Sequence, residues 1–264
     1  MSVQIDVRGA NAYAATGNRV YDPKKPTVVF IHGVGQDHTI WVLPVRYFAR
    51  HDYNVLSVDL PGHGASGGPL LESIEEMADW VVEFLDSVGV DETALVGHSM
   101  GALVALEVAA RHQKRVRSLT LVSISVPLAV SDPLMGAAEN HDHEALEMLT
   151  YWSHSRAAQI GGSPTPGIWM VGGTMRLWEQ ATPESIHTDL TACHGYAMGI
   201  ERGSVITCPT LLLLGERDRM APARLAETLQ EVLVNQRTII FEGAGHSLLS
   251  ERSDPVLDHL IQNV

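Results

Sequence analysis

The sequence predicts an α/β fold, a doubly wound and mostly parallel sheet with helices on both faces. Three observations carry this expectation. The strands are short and apolar almost throughout, the segments between them have helical start and stop signals, and glycine turns stand where strands end. The chain has 264 residues, 45% of them hydrophobic, enough for one large α/β domain or a domain with an insertion.

The first strands differ from the rest. Val3–Val7 and Asn11–Ala15 alternate in polarity around a turn at Gly9, which reads as an antiparallel hairpin at a sheet edge. Thr27–Ile31, Val55–Val58, Ala94–Val96 and Leu119–Val122 are short, nearly continuous apolar runs, the pattern of strands covered on both faces. Ser73-Ile74-Glu75-Glu76 is a capping box, with Ser73 as N-cap and Glu76 placed to return the bond. Behind it Met77, Trp80, Val81, Phe84 and Leu85 form one stripe, which Gly89 ends. A second helix is expected from Ala102 to Arg111. Strand Leu211–Leu214 is followed by a helix over Ala221–Val234, with Leu225, Leu229 and Leu233 on one face. Thr238–Phe241 is the last strand, and a final helix is expected with Asp254 as N-cap and Pro255 at its first position.

One stretch breaks the alternation. Between Ser125 and Thr207 about 80 residues pass without a buried strand, far beyond an ordinary connection. Trp152, Trp169, Trp178 and five of the nine methionines lie there, so a mainly helical insertion is expected.

Composition excludes several classes of function. Asp+Glu is 31 against Lys+Arg 18, a formal charge of −13, which argues against duplex nucleic acid or an anionic membrane as partner. Cys193 and Cys208 are too few for a disulfide framework, and no Cys/His run has structural-zinc spacing. The first residues lack a secretory pattern and no apolar run has the length of a membrane helix, so a cytoplasmic protein is expected. His141-Asp142-His143-Glu144 offers metal-like groups at a spacing that does not converge on a helix face, and reads as a solvated helix. No metal or cofactor is expected.

The chemistry concentrates in Gly97-His98-Ser99-Met100-Gly101, which sits between an apolar strand and a helix. That context makes a G-x-S-x-G run a nucleophile elbow: small residues permit a sharp turn, and the serine projects above the strand ends. The helix start behind it aims backbone N–H groups at developing negative charge. His32-Gly33-Val34-Gly35 follows the strand ending at Ile31, so the N–H groups of Val34 and Met100 are the candidate oxyanion hole. Ser99 needs a base. Of thirteen histidines, His246 in Gly243-Ala244-Gly245-His246 lies just after the last strand, at the same sheet edge as Ser99. The base needs an acid, and Gly215-Glu216-Arg217-Asp218 supplies two at the correct end of a strand, Asp218 and, as the fallback, Glu216. His32, Gly33 and His98 in the core turns, with Met148, Trp152 and Trp169 in the insertion, are the candidate substrate contacts. The insertion's Trp and Met residues suit an acyl pocket or its own core equally.

Taken in order, His32-Gly33, Asp59-Leu60-Pro61-Gly62-His63-Gly64, Gly97 through Gly101, Gly215 through Asp218 and Gly245-His246 resemble the α/β-hydrolase superfamily over nearly the whole chain. The resemblance is to the serine esterase and enol-lactonase branch. It implies a catalytic triad of Ser99, Asp218 and His246, and a core of residues 1–125 and 206–264. It also implies a helical cap over 126–205, inserted after the sixth strand. The family pattern supports Asp218 over Glu216 and the Val34 and Met100 N–H groups as oxyanion donors. Serine at 99 excludes the dehalogenases and epoxide hydrolases of this fold, whose nucleophile is aspartate. Relatives that cleave carbon–carbon bonds usually carry Asn where His98 stands.

The expected activity is hydrolysis of small to medium neutral carboxylic esters through a Ser99 acyl-enzyme, with a small-molecule ester as substrate. An enol-lactonase or carbon–carbon hydrolase of aromatic-compound breakdown is the alternative. Its carboxylate substrates need a cation at the pocket, for which the insertion offers Arg156, Arg176 and Arg202. A ligand receptor that retains the triad is the reading from another class.

Overall fold

The computed structural model describes every residue except Met1, Pro164 and Pro166. Eight strands form one sheet: β1 (Ser2–Val7), β2 (Ala10–Ala15), β3 (Thr27–Ile31), β4 (Asn54–Asp59), β5 (Thr93–His98), β6 (Val116–Val122), β7 (Thr210–Gly215) and β8 (Gln236–Phe241). Their order is β1-β2-β4-β3-β5-β6-β7-β8. The first two make the expected hairpin, turning at Arg8 and Gly9 with φ of +55° and +79°, a pair of positive values that suits the twist of the strands. β2 pairs antiparallel with β4, and every later pairing is parallel.

The continuous apolar runs are the central strands. All residues of β3, β4, β5 and β7 are buried, because helices cover both faces. One face holds α1 (Val42–Phe48), whose Val45 and Phe48, with Trp41 just before it, pack with Phe30. The other holds α2 (Ile74–Val88) and α3 (Met100–Arg111), whose Trp80, Phe84 and Leu103 join Leu56 and Leu95 in the larger cluster.

Among the described residues six helices lie between β6 and β7: α4 (Asp132–Glu139), α5 (His143–Ser153), α6 (Arg156–Gln159), α7 (Met170–Trp178), α8 (Pro183–Gly195) and α9 (Gly199–Val205). They return to the core through a buried charge on α3. Glu107 is fully buried and accepts from the Tyr196 hydroxyl at 2.7 Å and from Arg202 Nε at 3.0 Å, with Arg111 at 3.5 Å. A buried carboxylate survives only with such partners. Burial and Glu107 together push the Tyr196 phenol well above its ordinary value. The chain closes with α10 (Glu227–Val232), α11 (Leu248–Glu251) and α12 (Ser253–Asn263).

Several boundaries differ from expectation. The helix expected over Ala221–Val234 shrinks to a 3₁₀ turn at Ala223–Ala226 followed by α10; Leu229 and Leu233 are buried, but Leu225 points partly to solvent. The last helix starts two residues early, with Arg252 in the capping position and Asp254 inside the first turn. Ser73 caps α2 as expected, but Glu76 returns its bond to the N–H of Glu72. α1 had no clear sequence signal, since Leu43 and Pro44 disturb its pattern. Among the described residues no helix is long and apolar enough to cross a membrane.

Glu107→Ala strips Tyr196 and Arg202 of their shared partner. Both arginines reach solvent, so the loss is discounted to about 2–3 kcal/mol. Urea unfolding measures it, and an unchanged midpoint excludes Glu107 as the tie between α3 and the inserted helices.

Candidate active site

Ser99 follows β5 with φ +54° and ψ −118°, a conformation that costs a side-chain-bearing residue about 1–3 kcal/mol. The surroundings enforce it. Its N–H donates to Val122 O at 2.9 Å, and its carbonyl accepts from Ala102 N at 2.9 Å. A Cβ at Gly97 would stand 2.0 Å from Gly101 O, and one at Gly101 2.4 Å from the carbonyl oxygens of Ile31 and His32. Strand, turn and helix therefore meet backbone to backbone, and no larger residue fits at 97 or 101.

His246 and Asp218 come together as expected. His246 Nδ1 is 2.8 Å from Asp218 Oδ2, and both residues are buried. The other carboxylate oxygen accepts from the N–H groups of Met220 and Ala221 at 2.8 and 2.7 Å, so Asp218 is held as a fixed acceptor. Glu216 does different work: it is exposed and accepts from Gly243 N at 2.9 Å, which ties the β7 and β8 loops together. The Asp218 bond leaves His246 Nε2 as the nitrogen available to a hydroxyl. His246 is fixed beside the Ser99 turn by its own carbonyl, which accepts from Ser123 Oγ at 2.7 Å and from His98 Nε2 at 3.2 Å. The His98 and His246 rings lie 5.0 Å apart. No hydrogen bond joins Ser99 Oγ to His246 Nε2 in this structure; such contacts commonly tighten only when substrate arrives.

The loop after β3 carries the other candidate donor. Met100 opens α3, where an N–H has no intrahelical acceptor. Among the described residues neither its N–H nor that of Val34 is used internally. The Gly33–Val34 peptide is held by its carbonyl, which accepts from His32 Nδ1 at 2.8 Å and from Gln36 N at 3.2 Å. Gly33 N donates to Gln36 Oε1 at 3.1 Å.

The candidate substrate contacts divide. His32 is fully buried; Nδ1 donates to Gly33 O while Nε2 accepts from Leu60 N at 3.1 Å. It has no polar atom left for a substrate, and is an anchor between two loops. Burial, helped by His63, lowers its pKa to about 4. Trp169 is also corrected: it is 72% exposed, its indole folded over the bare backbone of Gly172 instead of into a pocket. Met148 and Trp152 are half-buried against the core cluster, and Arg219 sits over the Trp152 ring at 5.8 Å. A Cβ at Gly33 would stand 2.9 Å from Gln36 Oε1 and 3.1 Å from His98 Nδ1. His98 does border a cleft of about 300 Å³, with Gln36, Ile40, Thr174, Leu177 and Ser247. Its Nδ1 is buried without a partner. Burial first and then His246 drive its pKa down to about 3, so it is neutral at working pH.

Four contributors escaped sequence reasoning. Ser123 and Glu251 hold the His246 loop, the latter buried and accepting from Gly245 N at 3.2 Å and from Ser155 N at 3.0 Å. Trp178 and Asp189 reach the Val34 loop from the inserted helices, Trp178 Nε1 donating to Val34 O at 2.8 Å and Asp189 Oδ2 accepting from Gly35 N at 2.8 Å. No local motif marks any of them. The three insertion arginines take other places: Arg202 is spent on Glu107, Arg176 pairs with Glu179 at the surface and Arg156 is exposed.

Among the described residues Asp37, His38 and Asp59 bring three ligand-type atoms within 4.8 Å. Their bonds are internal. Asp59 accepts from the N–H groups of His38 and Ala65, and Asp37 from that of Thr39. Burial opposes ionisation of Asp59, yet His38 and these N–H groups hold its carboxyl below the usual range. The cluster fastens the β4 loop to the β3 loop. His141 through Glu144 are exposed, with His143 near Glu147 and Glu179.

The sequence profile of the alpha/beta hydrolase family matches residues 28–259. A curated relative from Acinetobacter baylyi, (E)-2-((N-methylformamido)methylene)succinate hydrolase, is 25% identical over 225 residues, 83% of this chain and 82% of its own. In structure the chain is similar to the enol-lactonase from Burkholderia xenovorans LB400, with a TM-score of 0.85 and 20% identity over 98% of each chain. It is also similar to a thermophilic esterase, with a TM-score of 0.82 and 23% identity over 99% of this chain and 96% of the other.

The buried neutral His98 generates a pH prediction. An unfolded histidine takes up a proton near pH 6.5, whereas folded His98 does so only near 3. The unfolded state therefore binds more protons between those values, and stability falls as pH drops through that window. His98→Asn keeps an N–H for the His246 carbonyl and removes this term. Its unfolding free energy, read from urea titrations, should fall by about 3–4 kcal/mol less between pH 6.5 and 3.5 than the wild type's. Parallel curves would show that His98 is not held neutral.

Proposed function

The chain belongs to the alpha/beta hydrolase family, and from that premise we propose that it is a serine hydrolase cleaving neutral carboxylic esters through a Ser99 acyl-enzyme. The observation that carries the reading is the buried His246–Asp218 pair beside the strained Ser99 turn, with two N–H groups left unused nearby.

In this reading His246 Nε2 takes the proton of Ser99 Oγ as the oxygen attacks the ester carbonyl. Asp218 holds Nδ1–H, fixes the tautomer and stabilises the imidazolium. The carbonyl oxygen becomes an anion held by the N–H groups of Val34 and Met100, in a turn that need not reorganise to meet it. The tetrahedral adduct collapses, the C–O bond to the alcohol breaks, and His246 returns the proton to the leaving oxygen. Water, deprotonated by His246, then attacks the acyl carbonyl and regenerates Ser99. Residues 126–205 act as the cap that shapes the acyl and alcohol space, and the cleft bordered by His98, Leu177 and Ser247 is the approach to it.

The preference for neutral esters over the anionic substrates of lactonases and carbon–carbon hydrolases rests on the arginines. One is neutralised by a buried glutamate and two lie at the surface, so none of the three is poised to receive a carboxylate. The formal charge of −13 adds a weak long-range bias in the same direction.

A panel of neutral aryl esters, with carboxylate-bearing analogues of equal length, tests the reading. Multiple turnover is expected, with kcat/KM at least about tenfold higher for the neutral series. Ser99→Ala should lower kcat by three or more orders of magnitude, and Asp218→Asn by roughly 10⁴-fold, without loss of fold. Near-full activity in Ser99→Ala removes the acyl-enzyme. Ligand binding without turnover points instead to a receptor.

A further inference from the structure

We propose that Asp189 and Trp178 are positioning residues that aim the Val34 N–H, so that the inserted helices set the oxyanion hole. The proposal rests on the reading of Val34 as an oxyanion donor and deepens it.

The argument follows two consecutive peptide units. The Gly33–Val34 peptide carries the donor, and its carbonyl is tied down from the core by His32 and Gln36. The next peptide, Val34–Gly35, is gripped at both ends from the insertion. Trp178 at the end of α7 donates Nε1–H to Val34 O, and Asp189 in α8 accepts the N–H of Gly35, each at 2.8 Å. A peptide is planar, so bonds at its two ends fix its orientation. With both neighbouring planes fixed, φ and ψ of Val34 are fixed, and with them the direction of its N–H.

The fit leaves no slack. Gly35 has φ +57°, and a Cβ there would stand 2.8 Å from Ile186 and 3.2 Å from the Trp178 ring. Both clamp residues are themselves packed in: Trp178 is 4% exposed and Asp189 fully buried. Asp189 Oδ2 also receives His63 Nε2 at 2.9 Å, while His63 Nδ1 lies 3.0 Å from Pro61 O. Both nitrogens face acceptors, so both carry protons and His63 is the cation that balances Asp189. Asp189 Oδ1, in contrast, is buried without a partner. A half-satisfied buried ion pair is a poor way to stabilise a fold, since an apolar pair of similar volume commonly does better. Its value lies in the directional bond to Gly35.

The experiment compares wild type with Asp189→Ala, Asp189→Asn and Trp178→Phe on one neutral aryl ester. Alongside kcat and KM it reads inhibition by an alkyl boronic acid. Ser99 Oγ adds to the trigonal boron, and the tetrahedral adduct places an oxygen where the oxyanion sits. Asp189→Ala should lower kcat by about ten- to a hundredfold with KM within about threefold, and weaken boronate inhibition by a similar factor. Trp178→Phe keeps the ring but loses the donor, and should shift the same two quantities in parallel. Asp189→Asn retains an oxygen for Gly35 and should recover most of the loss. Unchanged kcat and boronate affinity in folded Asp189→Ala or Trp178→Phe overturns the proposal. So does a loss carried wholly by KM. Should Asp189→Ala not fold, Trp178→Phe decides by the same criteria. Ser99→Ala separates the two levels: turnover surviving in it sinks the ester-hydrolase reading, whereas an inactive Ser99→Ala beside an unimpaired Trp178→Phe sinks this inference alone.

Discussion

The site depends on how closely three pieces of backbone can approach one another. β5, the turn at Ser99 and the first turn of α3 share so little space that residues 97 and 101 can only be glycine, and Gly101 also lies against the end of β3. This one constraint lifts Ser99 into a conformation that a side chain avoids, opens α3 with its first N–H free, and brings the β3 loop alongside. The strain is local, and the parallel sheet holds it: Ser99 N is bonded to β6, whose next residue, Ser123, in turn holds the His246 carbonyl. Position is transmitted from strand to strand by main-chain bonds, with few side chains needed.

The histidines show the same economy. His32 and His98 are buried and kept neutral by desolvation, each using ring nitrogens to fasten a loop. His63 stands against Asp189: burial opposes its cation, but the carboxylate and the Pro61 carbonyl raise its pKa above the ordinary value. His246 has one nitrogen on Asp218, and in the proposed reaction the other exchanges a proton with Ser99. Similar rings thus do different work according to what each nitrogen faces.

What the sequence reveals and what it hides follow from the range of each interaction. The elbow, the β1–β2 hairpin and the buried strands are written in adjacent residues, and all were legible. Ser99, Asp218 and His246 could be placed because each ends a strand, and strand ends of a parallel sheet share an edge. Glu216 and Asp218 could not be separated by local pattern alone; only the fold shows Glu216 turned to Gly243. Trp169 looked like a pocket residue because sequence carries its apolarity but not the bare Gly172 one turn on that receives it. Asp189 and Glu251 were invisible for a different reason. Their partners lie 154 and 96 residues away at Gly35 and Ser155, and nothing in a helix pattern announces a buried carboxylate.

Those two carboxylates fasten the inserted helices to opposite loops of the core, Asp189 at the β3 loop and Glu251 at the β8 loop, where Ser247 N also bonds Ser153 O at 2.8 Å. The insertion is therefore not a separable module. Exchanging residues 126–205 for the equivalent stretch of another protein, to change what is accepted, would also exchange the struts that hold two core loops. A chimera that keeps only the shape of the insertion inherits a selective vestibule over a loosened floor. One that carries over the Trp178, Asp189 and Ser153–Ser155 contacts as a set has a frame on which new selectivity can be built.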